Sequence, residues 1–233
     1  MSFYYSPKIV TDGLVLYLDA ANPYSYVSGS TSWNDISRGG NNGTLVNGPT
    51  YSSANLGSIV FDGVDDYVTG SNLLNGATQA TLMGWVKKYS TNSDISFGVL
   101  DYPNLPTDKR IEIVWYRDGN LYGEVGDTQN DWVNTTQTTN DTNWHHISFT
   151  YNGTQSTNFN KVKLYFDGTL RANTNTAGTI QSSVSATGPM TIGRRNTGYN
   201  RGNFSIIQFY NRELSAQEVL QNYNATKTRF GLT

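Results

Sequence analysis

Pairs of Asp-Gly or Asn-Gly recur along this 233-residue chain and constrain its fold more than any other feature. Such pairs supply the positive φ angles that tight hairpin turns need. They begin at Asp12, Asn42, Asn47, Asp62, Asn75, Asp118, Asn152 and Asp167. This many turn signals in a chain of this length predicts numerous short antiparallel strands within one all-β domain.

Segments rich in β-branched and aromatic residues lie between these turns. In one of them Val162, Leu164 and Phe166 share a face, which is the alternation of a half-buried strand. Two long polar segments, residues 126–143 and 172–188, lack sustained alternation and are predicted to be loops. The predicted strands are Leu14–Leu18, Ser58–Phe61, Tyr67–Thr69, Ala80–Lys87, Ile111–Tyr116, Asn120–Val125, His145–Tyr151, Lys161–Phe166, Met190–Ile192 and Phe204–Tyr210.

One helix is predicted near the C-terminus. Ser215 is its N-cap, Glu218 is the capping-box partner, and Leu214 with Val219 forms a hydrophobic staple. The helix is expected to run from about residue 216 to residue 227 and to stop near Gly231. Its apolar positions should close one side or end of the sandwich; they are Val219, Leu220 and Tyr223.

Composition excludes several classes of function. The net charge is −2 and 15% of residues are charged, so no strong field attracts nucleic acid or an anionic membrane. Cysteine is absent, which excludes disulfides, zinc-thiolate sites and thiol nucleophiles. The first ten residues lack the pattern of a signal peptide, and no window approaches the ~18–20 apolar residues of a membrane span. We therefore expect no membrane segment and no leader.

Five motifs, taken together, resemble the laminin-G-like, or concanavalin A-like, jelly-roll domains. They run in order from about Gly13 to Leu232, so the resemblance covers nearly the whole chain. It implies an all-β jelly-roll sandwich of two antiparallel sheets with one short C-terminal α-helix. Residues 12–233 would form this single domain and residues 1–11 an N-terminal aromatic arm. The motifs are Gly13–Ala20, Ser58–Val68, Lys163–Gly168, Met190–Arg194 and Phe209–Ser215.

Catalysis is not expected, although glucanases share this architecture. A retaining glycosidase needs two carboxyl groups about 5–5.5 Å apart. Glu112 has no second acid on the same face of its own strand, so it is predicted to be a solvated strand residue. His145 and His146 are the chain's only histidines and, as strand neighbours, they point to opposite faces. The sequence therefore predicts a protein that is not an enzyme.

Calcium is the one cofactor that the resemblance raises, because laminin-G-like domains often hold one calcium ion near the sandwich rim. Asp62, Asp65 and Asp66 are the densest local source of carboxylates, although they do not form a complete ligand set. The alternative interpretation is structural, with Asp62 as a turn residue and its neighbours accepting backbone hydrogen bonds.

Two polar segments are candidates for glycan binding, since sugars stack on aromatic faces and bond to Asn, Asp or Arg. Trp132 stands in the first segment with Asp127 and Asp131. For Trp132, packing under its own loop is an equal alternative. The second segment, residues 194–201, offers a rim of Arg194, Tyr199 and Asn200, and its two adjacent arginines are equally compatible with a solvated turn.

Two further motifs, Asn47–Tyr51 and the ending Asn222–Leu232, resemble those of domains in tailed-phage virion proteins and in large bacterial surface proteins. The resemblance favours a non-enzymatic structural, decoration or adhesion protein of a tailed-phage virion. Phe3, Tyr4 and Tyr5 would anchor the arm to other virion proteins of the capsid or tail, in a multi-copy assembly. The exposed rim would meet cell-surface glycans. The alternative is a secreted or cell-surface carbohydrate-binding module with a lectin-like function, and a glycoside hydrolase comes third.

Overall fold

The computed structural model describes residues 7–101, 108–128, 130–136, 138–195 and 198–233, and most of them lie in strands or turns. The helices are α1 (Asn158–Lys161) and α2 (Ala216–Thr226), with 3-10 turns at Ala54–Leu56 and Lys227–Phe230. The strands are β1 (Leu14–Asp19), β2 (Ser32–Trp33), β3 (Gly43–Val46), β4 (Thr50–Ser52), β5 (Ser58–Asp62), β6 (Tyr67–Thr69), β7 (Gln79–Lys88), β8 (Ile95–Leu100), β9 (Arg110–Trp115), β10 (Leu121–Gly126), β11 (Trp132–Thr135), β12 (Trp144–Asn152), β13 (Val162–Phe166), β14 (Thr169–Arg171), β15 (Asn173–Ala177), β16 (Met190–Ile192), β17 (Arg194–Arg195), β18 (Gly198–Tyr199) and β19 (Arg201–Tyr210).

Two antiparallel sheets face each other. The first sheet has the order β14-β13-β12-β7-β19-β5-β4, and β1 pairs with the part of β19 that β5 leaves free. The second sheet has the order β15-β11-β10-β9-β8-β16-β6-β3-β2. A separate hairpin of β17 and β18 completes the strands. The described residues therefore form the two-sheet jelly-roll sandwich that the sequence predicted.

The main core fills the space between the inner faces of the sheets. It includes fully buried aromatic and branched side chains from both, such as Phe97 and Ile113 of the second sheet and Phe149 and Phe209 of the first. Strand residues alternate between this core and the outer faces, which is why a period of two was visible in the sequence. The outer face of each sheet is the one turned away from this core.

The glycine has a positive φ angle in six of the eight Asp-Gly and Asn-Gly pairs, but only the turns after β9 and β13 join strands that are neighbours in a sheet. Asp167 and Gly168 join β13 to β14 in two residues and have φ angles of +51° and +72°, the pattern of a tight hairpin turn. Two pairs lack a positive-φ glycine altogether: Gly43 is the first residue of β3, and Gly153 does not have a positive φ.

The C-terminal helix covers the outer face of the first sheet. The Ser215 capping box is present, and Val219 is fully buried against Met83 and Tyr210. Beyond the helix, the ring of Phe230 stacks on Trp85 at 4.1 Å. The predicted helix is confirmed. The prediction that Leu220 helps to close the sandwich is wrong, because this residue is 43% exposed at the edge of the contact.

The first described residues also pack on this helix. The Val10 N–H donates to Asn222 Oδ1 at 2.7 Å, and the Tyr210 hydroxyl donates to the Val10 carbonyl at 2.9 Å. Gln221 donates to the carbonyl of Lys8 at 2.7 Å. The end of the predicted arm is thus held on the domain, whereas Phe3, Tyr4 and Tyr5 lie outside the described residues.

The two polar segments predicted to be loops each contain a strand. β11 and β15 lie within them and pair with each other at the edge of the second sheet. Their residues are mostly Asn and Thr, and Val133 is the one side chain of β11 in the main core. An edge strand that buries so little apolar surface has no strong alternation in its sequence, which is why the prediction was wrong. No helix within the described ranges is long and apolar enough to cross a membrane.

A cleft on the outer face of the second sheet

The register of three adjacent strands brings an aromatic and two acids into one row. Trp132 of β11 lies opposite Glu124 of β10, and Glu124 lies opposite Glu112 of β9. Directly opposed side chains in a sheet are about 4.5–5.5 Å apart at Cβ and share a face. All three point to the outer face, because their strand neighbours Val133, Val125 and Ile113 lie in the core.

The prediction that Glu112 is solvated is wrong, although β9 itself carries no second acid, as expected. The Glu112 side chain is fully buried, and the second acid, Glu124, comes from the neighbouring strand. The β17–β18 hairpin lies over this part of the sheet, where Gly193 N–H donates to the Ser96 carbonyl at 2.9 Å. The hairpin removes Glu112 from water, which the sequence of β9 alone could not show.

Two arginines neutralise the acid pair. From the hairpin, Arg195 donates through Nε to Glu112 Oε2 at 3.2 Å and through Nη2 to Glu124 Oε1. Arg110 of β9 donates through Nη1 to Glu124 Oε2 at 3.2 Å, and the same nitrogen lies 3.7 Å from Glu112 Oε2. These four side chains are called the buried quartet below. The buried Oε1 of Glu112 has no hydrogen-bond partner in the described part of the chain.

Burial raises the pKa of Glu124 to about 7. Removal from water disfavours the charged carboxylate, and the negative charge of Glu112 adds to this effect. Arg195 and Arg110 act in the opposite direction because they stabilise the carboxylate. Glu124 therefore changes its charge close to neutral pH, and the formal charge of the quartet changes with it from zero to +1.

A row of aromatic rings borders the quartet. Trp132 meets Tyr122 edge to face at 5.3 Å, and Tyr122 meets Tyr116 in the same way at 5.6 Å. These three rings line a cavity of about 310 Å³ together with Glu124, Asn130 and Arg195. The Tyr122 hydroxyl bonds to Asp118 Oδ2 at 3.1 Å, so the ring in the centre of the row has a fixed orientation.

A second cavity of about 510 Å³ continues from the first. Tyr116 and Arg195 line both cavities, so Arg195 lies where they meet. The other residues of the second cavity include Asp62, Asp94, Arg117, Tyr199 and Arg201. The two cavities together are called the cleft below. A cleft with aromatic walls and a few fixed polar groups is a common form of ligand site.

Of the first group of predicted glycan contacts, only Trp132 lines the cleft. Asp131 is almost completely buried, and its Oδ2 accepts from the backbone N–H groups of residues 127 and 128 at 3.1 and 2.9 Å. Its Oδ1 accepts from Thr179 N–H at 2.9 Å. Asp127 is exposed and accepts from the Ser185 hydroxyl at 2.5 Å. Asp131 therefore shapes the turn before β11 rather than facing a ligand.

The second predicted group divides in the same way. Tyr199 and Asn200 line the larger cavity, but Asn200 is buried and its Oδ1 accepts from the Ser96 N–H at 2.5 Å. Arg194 lies between two rings, 5.0 Å from Tyr67 and 5.5 Å from Tyr199. Both side chains thus fix the β17–β18 hairpin to the sheet. The neighbouring Arg195, which belongs to the predicted rim segment but was not chosen as a contact, faces the cleft.

The three aspartates of the turn after β5 are close enough to share a metal ion, since each offers an oxygen within 4.8 Å of the others. Two of them already serve the turn: Asp66 Oδ2 accepts from the Asp62 N–H at 3.0 Å, and Asp62 Oδ1 accepts from Val64 N–H at 2.8 Å. Asp65 is exposed. Calcium prefers six to eight oxygen ligands, so this triad is an incomplete set and we derive no chemistry from it.

The histidines lie on opposite faces, as predicted. His145 lies between two acids, with Nδ1 2.8 Å from Asp167 and Nε2 3.1 Å from Asp141. His146 is buried on the other face, near Trp85 and Tyr223. Neither lines the cleft.

The main residues that sequence reasoning missed are Glu124, Tyr116 and Tyr122, and it did not foresee the central position of Arg195 within the predicted rim segment. Alternation within β10 does place Tyr122 and Glu124 on one face and Leu121 and Val125 on the other. That signal could have identified an outward row. The contacts of Glu124 with Glu112 and Arg195 depend on strand register and on the β17–β18 hairpin, and neither leaves a signal in the local sequence.

Sequence comparison extends the structural result. The family model of the Concanavalin A-like lectin/glucanases superfamily matches residues 62–220, which is more than half of the chain. The chain belongs to this superfamily. The matched residues include the lining of both cavities and the whole buried quartet. No curated protein matches the chain in sequence.

Solved structures with the same fold are distant in sequence. A Trypanosoma rangeli sialidase in complex with 2,3-difluorosialic acid has a TM-score of 0.63 and 15% identity, over 93% of this chain and 33% of the sialidase. Domain 4 of AbnA, a GH43 extracellular arabinanase from Geobacillus stearothermophilus, in complex with arabinotriose, has a TM-score of 0.64 and 13% identity, over 92% and 100%. This chain thus spans about a third of the sialidase's length. At these identities the similarity establishes the superfamily fold alone.

Proposed function

We propose that this protein binds carbohydrate in the cleft and that its role there is recognition rather than catalysis. The observation that carries the proposal is the row of Tyr116, Tyr122 and Trp132 beside the fixed guanidinium of Arg195. Aromatic faces stack on sugar rings, and a guanidinium donates hydrogen bonds to hydroxyl oxygens.

The structural neighbours support this proposal. Domain 4 of the arabinanase has the same fold over its whole length, and its structure contains arabinotriose. The sialidase structures also come from a protein that acts on a sugar. We carry over from them the class of ligand, carbohydrate, and neither a particular sugar nor a reaction.

A non-enzymatic role is supported by the state of the acid pair. Glu112 is fully buried, Glu124 is almost so, and both carboxylates are engaged by Arg195 and Arg110. A glycosidase needs one carboxyl group to reach the glycosidic oxygen and another to reach the anomeric carbon or a water. Both acids are held by arginines, and Glu124, the one acid of the pair that lines the cleft, has only 3% of its side chain accessible, which favours binding without hydrolysis.

Trp132→Ala tests the proposal. We expect binding to oligosaccharides on a glycan array to fall at least about tenfold, since a central aromatic anchor commonly contributes more than 1 kcal/mol. Tyr24→Ala is the matched control, because Tyr24 is 83% exposed and lines neither cavity. Both variants should melt within a few degrees of the parent protein. Unchanged glycan affinity in a folded Trp132→Ala protein would contradict the site.

A second proposal concerns assembly. The packing of Lys8 and Val10 on α2 means that the chain enters the domain at a fixed point beside this helix. A segment attached there could anchor the domain to a larger particle, as we predict for Phe3, Tyr4 and Tyr5. The function of a phage virion decoration or structural protein stays a prediction, and the truncations described below test it.

A further inference from the structure

The buried quartet carries an inference about the ligand itself. We infer that Glu112 and Glu124 are positioning residues that hold the Arg195 guanidinium between the two cavities, and that the ligand it meets there is an uncharged glycan chain. This inference rests on the proposed carbohydrate-binding function and adds to it the ligand's charge, its minimum extent and the residues that orient the central contact.

The guanidinium of Arg195 is held on one side and open on the other. Its Nε and Nη2 donate to Glu112 and Glu124, while Nη1 makes no hydrogen bond to any described residue. The side chain keeps 24% of its surface accessible, whereas the two acids below it keep 3% or less. The acids therefore fix a donor that faces the cleft, while Glu112 lines neither cavity and Glu124 lines only the smaller one.

The position of Arg195 sets the minimum length of the ligand. It lines both the aromatic cavity and the larger rim cavity, so a ligand that fills both must pass over it. The two volumes, about 310 and 510 Å³, are each large enough for a sugar ring with its hydroxyls. An oligosaccharide can use both cavities, and a single sugar can use only one.

Charge balance favours an uncharged ligand. Among the described residues that line the two cavities, each cation has an anionic neighbour. Arg117 bonds to Asp94 at 2.7 Å, Arg201 is the cross-strand neighbour of Asp62, and Arg195 bonds to Glu124. No excess positive charge is left to attract a carboxylated or sulfated sugar.

The same geometry links binding to pH through Glu124. The groups that face it are Arg110 and Glu112 from β9 and Arg195 from the hairpin, while the carboxylate of Asp131 is turned towards backbone N–H groups. Because the pKa of Glu124 is raised to about 7 by burial, mild acid protonates it and weakens its hold on Arg195. A neutral ligand should then bind less well, whereas an acidic ligand should bind better because the quartet gains a positive charge.

The test measures affinity as a function of pH and ligand charge. Cello-, xylo- and arabino-oligosaccharides serve as neutral probes, oligogalacturonides serve as acidic probes, and each series runs from monosaccharide to hexasaccharide. We expect a neutral series to bind, with a gain in affinity between the monosaccharide and the trisaccharide. We expect the affinity of the parent protein for that series to fall up to roughly tenfold as pH decreases through about 7.

Glu124→Gln isolates the positioning effect, since it keeps the shape of the side chain and cannot ionise. Its affinity for the neutral probe should be reduced at pH values above about 7 and should no longer vary with pH across that value. Arg195→Lys should lose roughly tenfold, because lysine lacks the planar fork that spans two carboxylates. Asp12→Asn is the control, because the Asp12 side chain is exposed and lines neither cavity of the cleft.

Several results would overturn the inference. If Glu124→Gln does not fold, the pH profile of the parent protein decides the inference. Affinity for the neutral probe that stays constant with pH, or that rises as pH falls, excludes a positioning role for Glu124. Preferential binding of oligogalacturonides excludes an uncharged ligand. These outcomes are distinct from failure of the proposed function, in which no series binds or Trp132→Ala has no effect.

Discussion

His145 and His146 are adjacent in sequence but have opposite electrostatic surroundings. The hydrogen bonds of His145 to Asp167 and Asp141 outweigh its desolvation and raise its pKa. Burial lowers the pKa of His146 to about 4. One residue therefore favours the protonated form in the folded protein, and the other favours the neutral form.

These shifts predict a pH dependence of stability. Between about pH 4 and 6.5 unfolded His146 binds a proton that folded His146 does not, so this residue makes folding less stable as pH falls. The slope for one proton is about 1.4 kcal/mol per pH unit. His145 has the opposite sign: its stabilisation is present at low pH and is lost as pH rises above its ordinary value of 6.5.

His146→Phe should remove the loss of stability in mild acid while keeping an aromatic ring near Trp85 and Tyr223. We expect the free energy of unfolding in urea, measured from about pH 4.5 to 6.5, to vary less with pH than in the parent protein. His145→Asn is the control and should keep the parent slope in this range. Identical slopes for parent and His146→Phe would show that His146 titrates normally in the fold.

The C-terminal helix is the element whose local sequence and tertiary contacts agree most closely. The Ser215 hydroxyl accepts from the Glu218 N–H, and the Glu218 carboxylate accepts from the Ser215 N–H at 2.8 Å. Arg212 binds the same carboxylate at 2.6 and 3.1 Å, and the pKa of Glu218 is lowered to about 2. The cap is local, so the sequence predicted it; the face that packs depends on the sheet below.

Val219 and Leu220 form a matched pair for testing how the helix docks. Val219→Ala should lower the free energy of unfolding by roughly 2 kcal/mol, since the side chain is fully buried against Met83 and Tyr210. Leu220→Ala should cost less than about 1 kcal/mol, because 43% of that residue is exposed. Chemical denaturation of both variants measures the difference, and equal losses would place Leu220 in the contact as well.

At the scale of the whole molecule, the first described residues and the C-terminal helix meet on the outer face of the first sheet. Val10 and Asn222 are hydrogen-bonded, and Asn222 also donates to the Tyr210 hydroxyl at 2.9 Å in the same buried cluster. Phe230 closes the other part of this face over Trp85. The face that is covered in this way lies opposite the sheet that carries the cleft, so docking at one and ligand binding at the other can occur together.

Two truncations separate folding from assembly. A chain that begins at Pro7 keeps the contacts of Val10 and should unfold at the same denaturant concentration as the parent protein. A chain that begins at Asp12 loses them, leaves the amide oxygen of Asn222 without its donor, and should be about 1–3 kcal/mol less stable.

The chain that begins at Pro7 then tests assembly, measured as its incorporation into the predicted virion particle. If Phe3, Tyr4 and Tyr5 anchor the domain, this folded chain should no longer incorporate, because several large aromatic contacts are lost. Full incorporation would assign the anchor to another surface.

The sequence by itself determined the sandwich, its strands of clear alternation and the capped helix. These features depend on neighbours in the chain: a turn needs Asp-Gly or Asn-Gly, a half-buried strand alternates, and a cap lies three residues from its partner. The tertiary structure alone decided the site. Glu112 meets Glu124 through strand register, Arg195 reaches both from a hairpin more than 70 residues away, and Trp132 lies on a polar strand next to the sheet edge. Contacts between distant segments, and the burial they impose, leave no periodic trace in the sequence of any one strand.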